Sequence, residues 1–382
     1  MPENPVNIAT LVSYRIYPAK MGGQKGIALF YEYLSRLQPL TMISCADNPD
    51  PQINGIRFHA LGNRSKFRYI NPLLYFRIRR LIRREQITHL ILEHPYFGWL
   101  GILLKWTCGI KLIIHSHNIE ALRFKSIGKW WWGILWNYER LTHRVADLNF
   151  FIHDDDKAYA LSRFKLRPER CLTITYGFAL PGNPETAEKA AARKLVCSTW
   201  GIDPGQRLLL FNGTLDYKPN LDALNIILGT LNPLLLAHKE LTYKIIICGS
   251  KLPPAYNGLK DYADKNIIYA GFVPDIRPYF TGTDIFINPV LDGGGIKTKL
   301  VEALGYGLSV VTTQSGATGV AASRCGNKMI ITADNDWDGF ARALQQVTPG
   351  DPTPDSFFEE FYWGNIVARA LKAMAGSAAQ KN

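Results

Sequence analysis

The sequence predicts an α/β protein with parallel sheets. Short apolar segments alternate with amphipathic segments of helical period along the chain, and this alternation favours parallel strands joined by helices. With 382 residues the chain is long enough for two domains, and 47% hydrophobic residues suffice for a core in each. The candidate strands are residues 7–14, 40–43, 89–92, 111–115, 148–152, 171–174, 208–211, 244–248, 267–269, 285–288 and 309–312.

Helical patterns lie between most of these strands, and one composition shift suggests a boundary. The clearest helical patterns are residues 24–37, 73–84, 130–145 and 221–231, and another covers 356–375. Residues 181–205 are rich in Ala, Lys and Glu, with Pro and Gly at both ends. We therefore predict domains at 1–180 and 206–355, with 181–205 as a linker or insertion.

Charge and cysteine usage narrow the class of protein. A formal charge of +12 and a pI of about 9.3 indicate an anionic partner, which could be nucleic acid, an anionic membrane or a phosphorylated ligand. The six cysteines form no C-x-x-C pair, so we expect reduced thiols and a cytoplasmic protein. The first residues lack the pattern of a signal peptide, and no apolar stretch predicts a confident transmembrane helix.

The most informative motif is the segment NPVLDGGGIKTKLVEAL at residues 288–304. It predicts a buried strand, a glycine turn that includes Gly294 and Gly295, and a helix whose first turn carries Lys297 and Lys299. Backbone amides and the positive end of the dipole at a helix N-terminus bind phosphate. Glu302 adds one acid just under two turns into this helix. The alternative is an ordinary glycine loop before a helix with exposed lysines.

Three further loops follow predicted strands. Residues 18–26 contain Gly22 and Gly23, which would let backbone amides approach an anion or a sugar. Residues 211–220 contain Gly213, Thr214 and Lys218, and residues 271–276 contain Phe272 and Val273, which could contact a base. The alternative for the first loop is a plain surface turn, and the other two loops are individually weak signals that lie in the same half of the chain. Their common position at strand ends strengthens the interpretation.

Histidines follow two neighbouring strands. His117 lies in the segment HSHNIE at residues 115–120, and the segment EHP at 93–95 ends the preceding strand. An imidazole there could hydrogen-bond a sugar hydroxyl or a phosphate oxygen, or it could be satisfied by neighbouring backbone. The acidic segment HDDD at 153–156 looks like a metal cluster, but an aspartate N-cap with an acidic first turn is the preferred interpretation.

Together these motifs resemble the retaining, nucleotide-sugar-dependent glycosyltransferases of family 4, which have the GT-B fold. The resemblance covers essentially the whole chain. It depends on the early glycine loop, His117 with Asn118, the segment NGT…KPN at 212–220, residues 271–275, and above all GGGIKTK…EALGYGLSVV at 293–311.

This resemblance implies two Rossmann-like domains facing across a cleft, with residues 356–382 crossing back onto the N-terminal domain. It implies that Glu302 holds the ribose hydroxyls, and that Lys297 and Lys218 neutralise the diphosphate. The backbone near Phe272 and Val273 would meet the base, and His117 would face the transferred sugar and its phosphate. We therefore predict three catalytic residues, which are His117, Lys297 and Glu302. The predicted donor-binding residues are Gly22, Gly23, Gly213, Thr214, Lys218, Phe272, Val273, Gly294, Gly295 and Lys299.

The sequence departs from the family pattern at two positions. A second acid is common eight residues before the ribose glutamate, where this chain has Gly294, and an arginine is common where it has Thr214. Because lysines and helix amides can neutralise a leaving diphosphate, we expect no metal cofactor. The donor is then a nucleoside-diphosphate sugar and the acceptor a glycan or a lipid-linked glycan.

Other functions stay open at this point. A nucleotide-sugar epimerase or a phosphorylase would use the same fold, and a catalytically dead homologue would bind sugar without turnover. The charge of +12 also suggests a nucleic-acid-binding protein, but the sequence has no recognisable motif for one.

The basic residues cluster in the N-terminal half and predict peripheral contact with an anionic membrane at its inner face. In the pattern at 73–84, Leu74, Ile78, Leu81 and Ile82 share one side, and Arg77, Arg80 and Arg84 share another. Arg64, Lys66 and Arg68 precede it, and Trp130, Trp131 and Trp132 could anchor in the interface. The alternative is a solvated arginine face and tryptophans in the core.

Overall fold

The structure, a computed structural model, describes residues 6–19, 22–62, 65–237, 241–347 and 349–379. These residues form two α/β units. One unit comprises the described residues up to Gly177 together with those from Trp363 onwards, and the other runs from Phe178 to Tyr362. The two-domain α/β prediction is therefore confirmed.

The first unit contains a seven-stranded parallel sheet with the order β3-β2-β1-β4-β5-β6-β7. Its central strands form because their apolar runs are buried on both faces, as is typical of parallel sheets covered by helices. The strands are β1 (Ile8–Val12), β2 (Leu40–Cys45), β3 (Ile56–Gly62), β4 (His89–Glu93), β5 (Lys111–Ser116), β6 (Leu148–Phe151) and β7 (Cys171–Thr173).

The second unit contains a six-stranded parallel sheet with the order β10-β9-β8-β11-β12-β13. Its strands are β8 (Arg207–Asn212), β9 (Tyr243–Cys248), β10 (Ile267–Gly271), β11 (Ile285–Asn288), β12 (Ser309–Thr313) and β13 (Met329–Thr332).

Helices connect the strands in both units. They are α1 (Gly22–Leu37), α2 (Leu73–Arg84), α3 (Gly98–Cys108), α4 (Glu120–Ser126), α5 (Trp132–Val145), α6 (Asp154–Tyr159), α7 (Thr186–Trp200), α8 (Lys218–Ile226), α9 (Asn232–Leu236), α10 (Arg277–Gly282), α11 (Thr298–Gly305), α12 (Trp337–Gln346), α13 (Asp355–Phe361) and α14 (Trp363–Ala379).

Strand order locates the ligand sites that such sheets usually form. In each sheet the order of connection reverses once, between β1 and β4 in the first unit and between β8 and β11 in the second. Ligands of open α/β sheets bind outside the carboxyl ends of the strands at this reversal. The loops after β1, β4, β8 and β11 are therefore the places to look for a site.

The last helix belongs to the first unit. The ring of Trp363, at the start of α14, lies 6.4 Å from the ring of Tyr33 on α1 and 5.6 Å from that of Tyr176. Within the described part of the chain, no helix is both long enough and apolar enough to cross a membrane.

Several predicted boundaries differ from the observed ones. Residues 181–205 are not a bare linker, because α7 packs within the second unit: Trp200 Nε1 donates to the Tyr279 hydroxyl at 3.2 Å, and Arg193 pairs with Asp284 at 2.8 Å. The helical pattern at 356–375 is two helices separated by the extended Tyr362, and α13 lies in the second unit.

Two strands were not predicted, and both are edge strands. β3 and β13 each have one neighbour, and both are partly exposed. The sequence of β3, IRFHALG, lacks the continuous apolar run that marks the buried strands. The sequence of β13, MIIT, has a short apolar run that the prediction missed.

Candidate active site

The turn between β11 and α11 has the backbone that its glycines predict. Gly293 and Gly295 have φ angles of +104° and +75°, where a residue with a Cβ would be strained. A Cβ on Gly294 would meet nothing within 4 Å, so open space lies beside this residue. Lys297 is the N-cap of α11, and the start of a helix is a place where backbone amides can bind an anion.

The two lysines of this segment have different partners. Lys297 is half-buried and its Nζ donates to the carbonyl oxygen of Gly293; burial lowers its pKa from the usual value. Lys299 Nζ donates to the carbonyl oxygen of Asn212 at 2.5 Å. Because Asn212 ends β8, Lys299 joins the two loops that flank the strand-order reversal.

Gly213 is required by close packing at the same place. A Cβ on Gly213 would lie 2.8 Å from the Asn220 side chain and 2.9 Å from Lys299 Nζ. The neighbouring Thr214 is exposed, and its carbonyl oxygen accepts a hydrogen bond from Asn220 Nδ2 at 2.9 Å. Gly213, Thr214, Lys297 and Lys299, which the sequence predicts as site residues, therefore lie around one point at the carboxyl edge of this sheet.

Glu302 is the fifth residue of α11, just over one turn from its start, so the predicted distance of nearly two turns was too long. It is half-buried. Tyr306 lies one turn later, and its pKa is raised to about 12, first by burial and then by the charge of Glu302. Sequence reasoning did not select Tyr306.

Phe272 and Val273 follow β10. Phe272 is exposed and Val273 half-buried, and Gly271 before them has φ of +65°. This backbone turns the chain sharply at the strand end, and contact with a base stays a prediction.

Gly22 and Gly23 lie in the first unit, in the first turn of α1. The helix begins two residues before the predicted start at 24. A Cβ on Gly23 would meet nothing within 4 Å. Lys20 and Met21, in the same predicted loop, lie outside the described residues.

His117 follows β5 in the first unit and is held by Glu93, the last residue of β4. His117 Nε2 lies 2.6 Å from Glu93 Oε2, and His115 Nδ1 lies 2.9 Å from Glu93 Oε1. The hydroxyl of Tyr31 donates to Glu93 Oε1 at 2.5 Å. Burial alone would raise the pKa of Glu93, but the two histidines hold it well below its usual value.

A second histidine–glutamate pair lies beside the first. His94 Nδ1 is 3.1 Å from Glu120 Oε1, and Tyr96 and Arg123 donate to Glu120 Oε2 at 2.6 and 2.8 Å. His94 has φ +64° and ψ 160°, a strained backbone for any residue but glycine, of the kind often found at functional sites. The sequence indicated that the segment EHP lies at a strand end. It did not predict the pairing of His94 with Glu120 or of Glu93 with His117, because that pairing depends on strand order.

Comparisons with known proteins bear on the family and the fold of this chain. Residues 22–179 match the family model described as Glycosyltransferase Family 4, and residues 206–348 match the model described as Glycosyl transferases group 1. The chain belongs to the family-4 glycosyltransferases.

Solved structures share the fold of this chain over nearly its whole length. A glycosyltransferase from Rickettsia africae is 14% identical with a TM-score of 0.65, covering 98% of this chain and 100% of that one. HepE from Anabaena, solved with UDP, is 14% identical with a TM-score of 0.68, covering 97% and 100%. The starch synthase IV catalytic domain from Arabidopsis thaliana, bound to ADP and acarbose, is 11% identical with a TM-score of 0.65, covering 99% and 100%.

One curated relative also matches. An uncharacterized 44.6 kDa protein in the cps region of Klebsiella pneumoniae is 28% identical over 275 residues. The match covers 68% of this chain and 65% of that protein, so this chain spans just under two thirds of the length of that relative.

The structure gives Lys218 different surroundings from those of the other site lysines. Its side chain is 80% exposed, and its Nζ pairs with Asp222 at 2.5 Å. In the described structure Lys218 is thus engaged on the surface, and its contact with a diphosphate stays a prediction.

Two clusters of side chains have the residue types of a metal site: one around Glu93, and the acidic segment at 153–156. Among the described residues, Glu93, His115 and His117 have ligand atoms within 4.8 Å of one another. Ligands on one tetrahedral ion with bonds of about 2.0–2.1 Å would lie about 3.3 Å apart, whereas the observed separations of 2.6 and 2.9 Å are those of hydrogen bonds.

The acidic segment at 153–156 is the start of α6, but the capping prediction was partly wrong. The N-cap is His153, whose side chain accepts from the amide of Asp156, and the three aspartates form the first turn. A helix start therefore accounts for these acids.

Proposed function

We propose that this protein transfers a sugar from a nucleoside-diphosphate sugar to a glycan or a lipid-linked acceptor, with retention of configuration. The observation that carries the proposal is the junction of two strand-end loops by Lys299, beside Lys297 and the amides at the start of α11. Two cations and a helix N-terminus at one point suit a diphosphate.

Five of the predicted residues take a role in this proposed reaction. Lys297 and Lys299 neutralise the charge that develops on the departing diphosphate, which lowers the barrier most where water is excluded. Glu302 accepts from the ribose hydroxyls, and the turn at Phe272 and Val273 contacts the base. The acceptor oxygen bonds to the anomeric carbon from the face that the diphosphate leaves, and the acceptor proton passes to the departing diphosphate. No divalent metal takes part.

The nucleotide is proposed from the relatives. HepE was solved with UDP and with UDP-glucose, and starch synthase IV with ADP. We therefore expect a UDP- or ADP-sugar to bind more tightly than a GDP-sugar.

The test is a thermal-shift screen of UDP-, ADP- and GDP-sugars. A ligand at 100 times its dissociation constant stabilises the native protein by about 2.7 kcal/mol. The Gly213→Ala variant should lose this shift because the new Cβ displaces Lys299 or Asn220. The matched control is Gly229→Ala, where a Cβ would meet nothing within 4 Å. No shift with any nucleotide sugar would contradict the proposal, and conversion of the sugar without an acceptor would favour an epimerase.

We propose that the acceptor lies at an anionic membrane surface. The apolar residues of the predicted side of α2 are buried, as expected. Its other side forms what we call the α2 surface, with the preceding short helix Lys66–Ile70. The four apolar members are 59–72% exposed, and the arginines beside them are also exposed. The α2 surface comprises Phe67, Ile70, Leu73, Phe76, Arg77, Arg80, Arg83 and Arg84.

This surface supports membrane contact because it combines apolar side chains with positive charge. Trp130 is 83% exposed, so it does not belong to the core. Arg64 lies outside the described residues, as does the side chain of Lys66. We propose that the protein is cytoplasmic, and that contact with the membrane places it at the inner face.

A further inference from the structure

The two histidines bound by Glu93 differ in what they can meet. His115 donates from Nδ1, and its Nε2 is buried with no hydrogen-bond partner among the described residues. The ring of Phe30 lies 4.9 Å from the ring of His115. The His117 side chain is 11% exposed. Of this pair, only His117 reaches the surface of the first unit.

The hydrogen bond to Glu93 decides which nitrogen of His117 carries the proton. A carboxylate offers only acceptors, so Nε2 at 2.6 Å from Glu93 Oε2 must carry hydrogen. In a neutral imidazole the lone pair is then on Nδ1. In the described part of the chain, no hydrogen bond to this Nδ1 is found.

The surroundings of His117 keep it neutral. Burial lowers its pKa to about 4, although the charge of Glu93 acts in the opposite direction. His115 and His94 also face it, with ring centroids at 4.6 and 4.7 Å. A positive charge on His117 is therefore unfavourable in this buried place, and the imidazole presents a lone pair at neutral pH.

We propose that Glu93 is a positioning residue that holds His117 as the Nε2–H tautomer, so that Nδ1 accepts a hydrogen bond from a substrate hydroxyl. This inference depends on the proposed function. It changes the role that the family resemblance implies, because a neutral Nδ1 acceptor suits a sugar or acceptor hydroxyl and does not suit a phosphate oxygen.

The geometry around Glu93 supports a positioning role. Its side chain is fully buried at the end of β4, and its two oxygens accept from Tyr31, His115 and His117. Thr10 donates in turn to the Tyr31 hydroxyl at 2.6 Å. A carboxylate held by this many donors cannot rotate, so the plane of the His117 ring is set by the sheet.

The decisive measurement is the tautomer of His117 in the wild-type protein. Long-range ¹H–¹⁵N correlation of ¹⁵N-histidine-labelled protein at pH 7, assigned with His117→Gln, should show protonation at Nε2 only. An imidazolium, or the Nδ1–H tautomer, overturns the inference. This spectrum needs no activity, so it separates this inference from the donor-binding test of the proposed function.

Glu93→Gln tests the consequence. We expect a mixed or reversed His117 tautomer and a fall in kcat of about 10- to 100-fold, with the dissociation constant of the nucleotide unchanged. The matched control is Glu85→Gln, since Glu85 is a mostly buried carboxylate that accepts from Thr41 and Arg57 near the amino ends of the strands. In Glu85→Gln, the tautomer of His117 and the value of kcat should equal those of the wild-type protein.

Two further outcomes count against the inference. Unchanged kcat and tautomer in Glu93→Gln would show that Glu93 does not position His117. Selective broadening of the His115 and His117 signals by MnCl₂ would show that the three residues bind metal instead. If Glu93→Gln fails to fold, the wild-type spectrum still decides.

Discussion

Lys297 and Lys299 are two residues apart in the chain, yet their ammonium groups are held by different loops. Lys297 bonds within its own turn, to Gly293, and Lys299 bonds across to Asn212. A lysine side chain is long and flexible, so without a hydrogen-bond partner its ammonium group has no fixed position. Here both charges are fixed before a ligand arrives, which is the arrangement that stabilises a transition state most.

We expect Lys297→Ala to raise the activation free energy by about 2–4 kcal/mol, which lowers kcat/KM roughly 30- to 900-fold. The reason is that the charge on the leaving diphosphate is no longer neutralised. Glu302→Ala should weaken nucleotide binding through the ribose. Initial rates with the donor found in the screen, measured in EDTA, check both.

The control is Lys260→Ala, an exposed lysine of the second unit, which should leave the rate unchanged. Normal rates in both Lys297→Ala and Glu302→Ala would show that the site assignment is wrong. Activity that EDTA abolishes and manganese restores would contradict the proposal that no metal takes part.

At the scale of elements, the short helix α4 depends on a residue of α5. Glu139 is fully buried, and its two oxygens accept from the amides of Glu120 and Ala121 at 3.0 Å each. These amides belong to the first turn of α4, where no neighbouring backbone can satisfy them. Glu139 therefore holds the loop that contains His117 to the helix behind it.

We expect Glu139→Gln to destabilise the protein by about 1–3 kcal/mol near pH 5, because the amide NH₂ cannot accept from a backbone N–H. Burial raises the pKa of Glu139 to about 8, against about 4.3 when unfolded. The native state therefore binds the extra proton between these values, so the contribution of Glu139 to stability falls as the pH rises from about 4.3 to about 8.

Urea unfolding from pH 5 to pH 8.5 measures this effect. The difference between wild type and Glu139→Gln should shrink as the pH rises, whereas the exposed Glu169→Gln should show no such trend. A difference that stays constant over this range would mean that Glu139 is ionised throughout and would contradict the raised pKa.

At the scale of the whole molecule, the charge of +12 is spread unevenly. Four arginines of the α2 surface lie within eight residues, beside four exposed apolar side chains. An exposed apolar patch with basic residues is typical of a surface that binds an anionic membrane.

We expect the protein to co-sediment with vesicles that contain anionic lipid and less with neutral vesicles, since each basic residue near the surface adds about 1 kcal/mol. High salt should weaken the binding. Reversing the charges of Arg77, Arg80 and Arg84 to glutamate should abolish it without changing donor affinity. The same reversal of Lys194, Lys260 and Arg342, which are exposed in the second unit, is the control. Equal binding to both vesicle types would contradict an electrostatic contact.

Local features of this protein could be predicted from the sequence because their causes lie within a few residues. The buried strands have apolar runs, α2 has a helical period that places Leu74, Ile78, Leu81 and Ile82 in the core, and Gly293 and Gly295 mark a turn with positive φ. These features also located the loops of the candidate site in the second unit.

Only the tertiary structure decided which strand ends become neighbours. Glu93 meets His117 because β4 pairs with β5, and Lys299 meets Asn212 because β11 pairs with β8. Strand order depends on how whole helices and strands pack, and no local pattern specifies it. For the same reason the edge positions of β3 and β13 could not be predicted, whereas the pairing of Lys218 with Asp222 is a local i,i+4 contact within α8. The residue types of the site are thus local properties of the chain, whereas their partners are set by the sheet.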